Sequence, residues 1–471
     1  MSQFRILLPL LFLLLAGCQA PRTEVVRPEQ LSYPPLVFEV PQVEKMILPN
    51  GIRLYLEEDH ELPLVAVTAM LDGGSINDPV DKTGLADLHA ALLRSGGAGD
   101  FSPKELDEHL AFHAIDLGAS ADSYALSLGL SARREDMKIG ISALRDLLRA
   151  PRFDSDRLEL ARRQTIEGIR RQNDVPSVVA QRALRQALYP DHPLGRSETV
   201  ETVSAVTRND LFAFHQQFTQ PHNLWLGITG DFDKEELLAL LDELFGDWNG
   251  SAVAEQKIPP LTEKPEPAVW VADKQIPQTT ILFGEIGIEK DNPDLYAIKV
   301  MNYILGGGGF NSRLMREVRS NRGLAYSVYS YYQVGRRLPG SFIAGCETKS
   351  ESTFEVIRLM RAEMETIRQE PVSAEELRLA KESLINSFVF AFEDIHDIVA
   401  QQMRIDFYGY PQDYLSGYRD RLAAVTIEDV QAAARTYLHP DRQQLLLVGD
   451  LSAFDGDPQS LGAPVKPISE D

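Results

Sequence analysis

Apolar residues recur along this chain with the two periods that helices and half-buried strands require. In Gly84-Leu85-Ala86-Asp87-Leu88-His89-Ala90-Ala91-Leu92-Leu93, the leucines 85, 88 and 92 stand at i, i+3 and i+7, which predicts a helix with one buried stripe. Leu48-Pro49-Asn50-Gly51 predicts a hairpin turn, where order should begin, ahead of a strand through Leu54 and Leu56. Two further apolar runs, Leu224 to Thr229 and Leu445 to Val448, read as strands, each preceded by a helix and a turn at proline.

The surroundings of these two runs repeat. Val206-Thr207, Asp210, Pro221 and Gly230-Asp231 recur as Val425-Thr426, Asp429, Pro440 and Gly449-Asp450, every pair 219 positions apart, as 425 is from 206 and 450 from 231. A gap-free match of this kind predicts a tandem duplication of one α/β unit of roughly 200 residues, an ordinary domain size. The expected fold is α+β: two homologous halves, each a sheet with helices packed on it, forming half of a clamshell. Pro259, Pro260, Pro265 and Pro267 mark a linker over 251–268, between an N-terminal half at 46–250 and a C-terminal half at 269–455. Residues 456–471, without periodicity, read as a tail.

The N-terminus follows a different pattern. Arg5 precedes an apolar run from Ile6 to Ala16 that is too short to span a bilayer as a mature helix, so residues 1–17 read as a signal peptide. The run ends in Leu15-Ala16-Gly17-Cys18, which resembles a bacterial lipobox and implies lipid on Cys18. With Gln19 rather than Asp after the cysteine, outer-membrane retention facing the periplasm is expected. Pro21, Pro28, Pro34, Pro35 and Pro41 suit an extended tether over 18–45. With Cys18 lipidated, Cys346 has no disulfide partner and belongs in the core.

Composition narrows the function classes. Hydrophobic residues at 44% and charged residues at 25% fit a globular protein. A net charge of −22, from 47 Lys and Arg against 69 Asp and Glu, argues against nucleic acid, which needs basic surfaces to neutralise phosphates. Such a surplus serves solubility and would attract basic peptides.

The helix around Asp87 resembles the pitrilysin/insulinase peptidases, which include mitochondrial processing peptidase. In that family Gly-Leu-Ala is followed by His-x-x-Glu-His, the inverted zinc motif. Positions i, i+3 and i+4 share a helix face, so two imidazoles can grip one zinc while the Glu activates its water. Here those positions are Asp87, Ala90 and Ala91, so both ligands and the base are missing. The family's third ligand, a Glu, carries over to Gly168, and its accessory Glu to Ala161. Glu167 is no substitute, because neighbouring helical residues point about 100° apart. His89 stands two residues from Asp87 and does not face it. His109 and His113 have i, i+4 spacing, but Glu108 precedes the pair instead of following its first member, and a solvated helix face is expected. No Gly-x-Ser-x-Gly elbow or Cys–His signature offers another mechanism.

The second half keeps other parts of the family pattern. Gly306-Gly307-Gly308-Gly309-Phe310-Asn311-Ser312-Arg313-Leu314 leads into Arg319 and then Gly323-Leu324-Ala325-Tyr326-Ser327, which is very similar to the family's Gly-rich loop and Arg/Tyr segment. A phosphate loop would need Gly-Lys-Ser/Thr after the glycines. The resemblance implies that Arg319 binds a substrate carbonyl and Tyr326 the developing oxyanion, beside glycines 306 to 309. Fold maintenance is the alternative for both side chains, and a tight helix exit for the glycines. In some bacterial members one subunit carries the zinc and another the Arg/Tyr pair. The resemblance therefore implies a non-catalytic subunit that binds no cofactor itself. Its partner would be a zinc-bearing subunit in a heterodimer, its substrate an unfolded peptide. The alternative is a peptide-binding or scaffold lipoprotein without a peptidase role.

Overall fold

A computed structural model describes residues 40–250, 258–262 and 265–469, so the signal peptide and Cys18 lie outside the described residues. The Asn50-Gly51 turn forms as its sequence requires. Gly51 takes φ +93°, the Asn50 Oδ1 accepts from the Ile52 amide at 3.3 Å, and Leu48 and Ile52 close the loop. The turn joins β1 (Glu44–Ile47) to β2 (Arg53–Glu58). Order thus begins before Leu48, inside the stretch expected as tether, because Lys45 and Met46 pair with Tyr55 and Leu54.

The first sheet adds β3 (Leu64–Asp72), β4 (Asp116–Ala121), β5 (Ala125–Arg133) and β6 (Trp225–Gly230), in the order β1-β2-β6-β3-β5-β4. The second contains β7 (Val269–Asp273), β8 (Gln278–Ile286), β9 (Ala325–Gln333), β10 (Ser341–Lys349), β11 (Gln444–Gly449) and β12 (Val465–Pro467), in the order β12-β7-β11-β8-β10-β9. Each sheet has the same parallel pair, β2 with β6 and β7 with β11, followed by an antiparallel β3 or β8; on the outer side β1 runs antiparallel to β2, whereas β12 runs parallel to β7. β12 corrects the expected tail: Val465 packs on the second core and Ile468 is buried beyond it. Three residues are too few to show a period, which is why the pattern missed them.

The duplication extends further than its sequence matches. Helices Ser155–Gln172, Pro176–Leu188 and Arg208–Phe218 and strand β6 correspond to helices Ala374–Ser387, Ile395–Tyr408 and Ile427–Tyr437 and strand β11, each starting 219 positions later. The matched Val-Thr and Asp residues turn out to be helix caps. Thr207 accepts from the Asp210 amide at 3.3 Å while Asp210 accepts from the Thr207 amide at 2.8 Å, and Thr426 and Asp429 repeat the box at 3.1 and 2.9 Å.

The halves also exchange helices. Pro176–Leu188, from the first half, lays Val179, Ala180 and Leu184 on Leu282, Leu446 and Val448 of the second sheet. Gly284 in β8 permits the approach, since a Cβ there would meet Leu184 at 2.5 Å. Reciprocally, Ile395–Tyr408 lays Val399, Met403 and Phe407 on Tyr55 and Met70 of the first sheet. The β9–β10 loop adds charged ties, Arg336 to Asp122 at 2.9 Å and Arg337 to Asp72. Cys346 is buried against Met360 as expected, and burial pushes its thiol up to about 12.

Candidate functional site

The helix Leu85–Ser95 starts at Gly84, in a left-handed conformation with φ +100°. The buried Asp78 carboxyl accepts from the Gly84 amide at 2.8 Å and the Ala86 amide at 3.0 Å, fixing that end. The helix packs beside Ser155–Gln172, which brings the two ligand-bearing segments of the family motif together. Ala91 and Gly168 lie on open surface, Asp87 reaches solvent but has its carboxyl crowded by neighbours that include Arg185, Ala90 is buried and Ala161 packs at the edge of the first core. A Cβ added at Gly168 would meet only empty space. Glu167 stays on its own helix, paired with Arg171 at 2.8 Å. Among the described residues, no three of His, Cys, Asp and Glu come together as a metal site. The side chains present do not fit a zinc ion.

The histidines nearby have other duties. His215 places Nε2 3.0 Å from the Leu148 carbonyl, which can only accept, so Nε2 carries the proton and Nδ1 is left as acceptor. His89 Nε2, 3.1 Å away, donates to it, and the His89 ring packs against Phe153 and Phe214. Burial pushes both imidazoles down, His89 well below its ordinary value and His215 to about 4, so the pair is a neutral piece of core. His109 and His113 correct the expectation of a solvated face. His109 stacks on Phe101 with ring centres 4.7 Å apart, and His113 Nδ1 meets the Asp136 carboxylate at 2.6 Å.

A charged group surrounds Asp87. Burial raises the Asp87 carboxyl while Arg185 opposes the rise. Burial, then Asp87, raises Glu198, again opposed by Arg185. Glu198 and Arg185 both line a cavity of about 600 Å³ between the helix Pro176–Leu188 and the edge of the second sheet. Neither was singled out from sequence, because an Arg or Glu on a helix gives no sign that the opposite half will cover it.

In the second half the helix Leu295–Asn302 runs into a π-helical turn, Tyr303–Gly307, and a second π-helical segment spans Met315–Asn321. Such turns are rare and gather at functional sites. Gly306 presses on β9, where a Cβ would sit 2.5 Å from the Ser330 amide, and Gly309 needs its left-handed φ of +56° to turn the chain back. Gly307 and Gly308 pack on Asn302 and Tyr303 of the same helix exit. The loop delivers Phe310 to Arg319. The guanidinium carbon lies 4.6 Å from the centre of the Phe310 ring and 4.5 Å from that of Tyr326, a cation held between two aromatic rings. Both rings are open to solvent, Tyr326 at 83% exposure and Phe310 at 66%. Tyr326 is thus no core side chain, and Arg319 makes no ion pair among the described residues.

Known proteins similar to this chain fall in one family. The family model for insulinase (peptidase family M16) matches residues 53–200, and that for the peptidase M16 inactive domain matches residues 205–384. An uncharacterized zinc protease of Mycobacterium leprae is 28% identical over 300 residues, 60% of this chain and 64% of that relative, so the chain spans less than two thirds of its length. A non-peptidase homolog, YmxG, of Helicobacter pylori is 26% identical over 384 residues, 79% of this chain and 86% of that one. The crystal structure of a peptidase M16 inactive domain from Pseudomonas fluorescens superimposes with a TM-score of 0.79 at 25% identity, covering 86% of this chain and 98% of the other.

Proposed function

Because the chain belongs to peptidase family M16, as an inactive member, we propose that it is the non-catalytic subunit of a two-chain zinc peptidase. The reading rests on one observation above all. The Arg319 guanidinium is clamped between two exposed rings, in a chain whose own metal position is filled by Asp87, Ala90 and Ala91. Exposed aromatic rings cost solubility and add little to a core, so the clamp is best explained by what it meets outside the chain. A zinc-bearing subunit of the same family would supply water activation. This chain would supply Arg319 to a carbonyl of the bound peptide and the Tyr326 hydroxyl as donor to the oxygen that gains charge on attack. Removing one such donor costs about 10²–10³ in turnover. Tyr326→Phe, assayed with the partner, should show that loss while still assembling with it. Unchanged turnover would remove Tyr326 from the mechanism.

A second reading has specific support. The Helicobacter relative is called a non-peptidase homolog, so a peptide-holding or scaffold protein with no partner enzyme is the competing role. Purification of the chain from its own cells separates the two. Copurifying zinc-dependent peptidase activity favours the subunit, and peptide binding with no such activity favours the scaffold. Lipid on Cys18 would hold either form to the outer membrane, facing the periplasm. Cys18→Ser should release the chain to the soluble fraction, and continued membrane association would exclude that anchor.

A further inference from the structure

The cavity of about 600 Å³ is within the range of small-ligand sites, which run from about 300 to 1,000 Å³. Its walls come from both halves, with Arg182, Arg185 and Tyr189 on one side and Tyr331 and Gln333 of β9 on the other. Five charged residues line it: Asp122, Arg182, Arg185, Glu198 and Arg336. Asp122 and Arg336 neutralise each other at 2.9 Å. That leaves Arg182 and Arg185 facing Glu198 in the cavity wall, with Asp87 close enough to act on Arg185 from beside it.

Among the described residues, neither arginine makes a direct ion pair or hydrogen bond with a carboxylate. Arg185 reaches only the Ser197 hydroxyl, from Nη2 at 3.1 Å. Arg182 donates to Gln172 at 3.2 Å, Asn173 at 2.8 Å and the Ser469 carbonyl at 3.5 Å, all neutral acceptors. The two stand one turn apart on one helix, so they share a face. Glu198 and Asp87 act on Arg185 only at a distance, and a guanidinium in a cavity without a contact ion pair still has room for an anion, because its desolvation is repaid best by direct partners. Glu198 is not such a partner. Its Oε2 has no hydrogen-bond partner, and burial and Asp87 raise its carboxyl while Arg185 lowers it, so it stands near Arg185 without bonding it.

We propose that this cavity is a subsite for a peptide carboxylate, free C-terminus or acidic side chain, with Arg185 as its counter-ion. The inference rests on the reading of the chain as a peptide-holding subunit and adds a selectivity to it. β9 carries both ends of the path: Tyr326 near its start, and Tyr331 five residues on in the cavity wall. At about 3.3 Å per residue those positions are roughly 17 Å apart. A peptide extended along β9 would place the carboxylate about five residues from the bond opposite Tyr326. Tyr331, with Tyr329 stacked on it at 6.0 Å between ring centres, provides a flat surface for the residues before it.

The test is fluorescence anisotropy on the full chain with three labelled peptides of one neutral, unstructured sequence. One ends in a free carboxylate, one in an amide, and the third is the amide with a single internal Glu. The carboxylate peptides should bind about tenfold tighter than the neutral amide, the size expected of one charge-assisted bond. An advantage only for the free acid identifies the C-terminus, and an advantage only for Glu identifies a side chain. Arg185→Gln should erase the difference without weakening the neutral amide, and Arg185→Lys should restore part of it. Equal binding of all three peptides, or an advantage that survives Arg185→Gln, overturns the subsite and leaves the peptide-holding role standing. Failure of every peptide to bind overturns both.

Discussion

Arg319 and Tyr326 work as a pair whose parts can be separated. The Tyr326 ring is one jaw of the clamp on the guanidinium, and its hydroxyl meets no partner among the described residues. Tyr326→Phe keeps the jaw and removes the donor, so it tests the chemistry without loosening Arg319. Phe310 is the complementary case, a jaw with no polar atom at all. A cation–π contact at an exposed site contributes about 0.5–1 kcal/mol, so Phe310→Ala should lower turnover with the partner by roughly two- to fivefold. Phe310→Trp should restore it, and the melting temperature should not move, because the ring is 66% exposed. Turnover unaffected by Phe310→Ala would show that Arg319 is positioned by its backbone alone. The same scale explains why His89 and His215 drop out of any metal scheme. The two neutral rings are committed to each other, and His215 also to the Leu148 carbonyl, inside a shell of phenylalanines.

At the scale of elements, what could be read from the sequence was what is local. The stripe of Leu85, Leu88 and Leu92 sets the helix and its buried face, and all three are buried. The 219-residue repeat was legible because a capping box needs Thr and Asp at fixed spacing, whatever surrounds it. The missing zinc ligands were legible for the same reason, as residues i, i+3 and i+4 on one helix. Contacts between distant segments were not. The apolar face of Pro176–Leu188 announces that the helix is buried, but a 3.6-residue period says nothing about which sheet buries it. Arg185 and Glu198 were hidden by that ignorance, since only the crossing of this helix to the second sheet puts them in a cavity wall. The ring stack of His109 on Phe101 and the His113–Asp136 pair depend likewise on residues brought in by the fold.

At the scale of the whole molecule, the exchange of helices makes each half a part of the other's core. Without Pro176–Leu188 the second sheet would expose Leu282, Leu446 and Val448, and without Ile395–Tyr408 the first would expose Tyr55 and Met70. Val179, Leu184 and Leu188 alone, at about 1.5–3 kcal/mol for each buried side chain, approach the net stability of about 5–15 kcal/mol typical of a domain. The full chain should therefore unfold in a single calorimetric transition despite its duplicated plan. Fragments ending at Gly250 and beginning at Ile258 should be insoluble or loosely folded when made singly, and should copurify when made together. Two resolved transitions, or one fragment that folds cooperatively alone, would refute this dependence. The exchange bears on function because the cavity and the Arg319–Tyr326 clamp share strand β9. Hinged halves would let that strand move relative to Arg185 and Glu198. Interlocked halves hold it at a fixed distance from them, which is the preorganisation needed to orient a peptide for chemistry performed elsewhere.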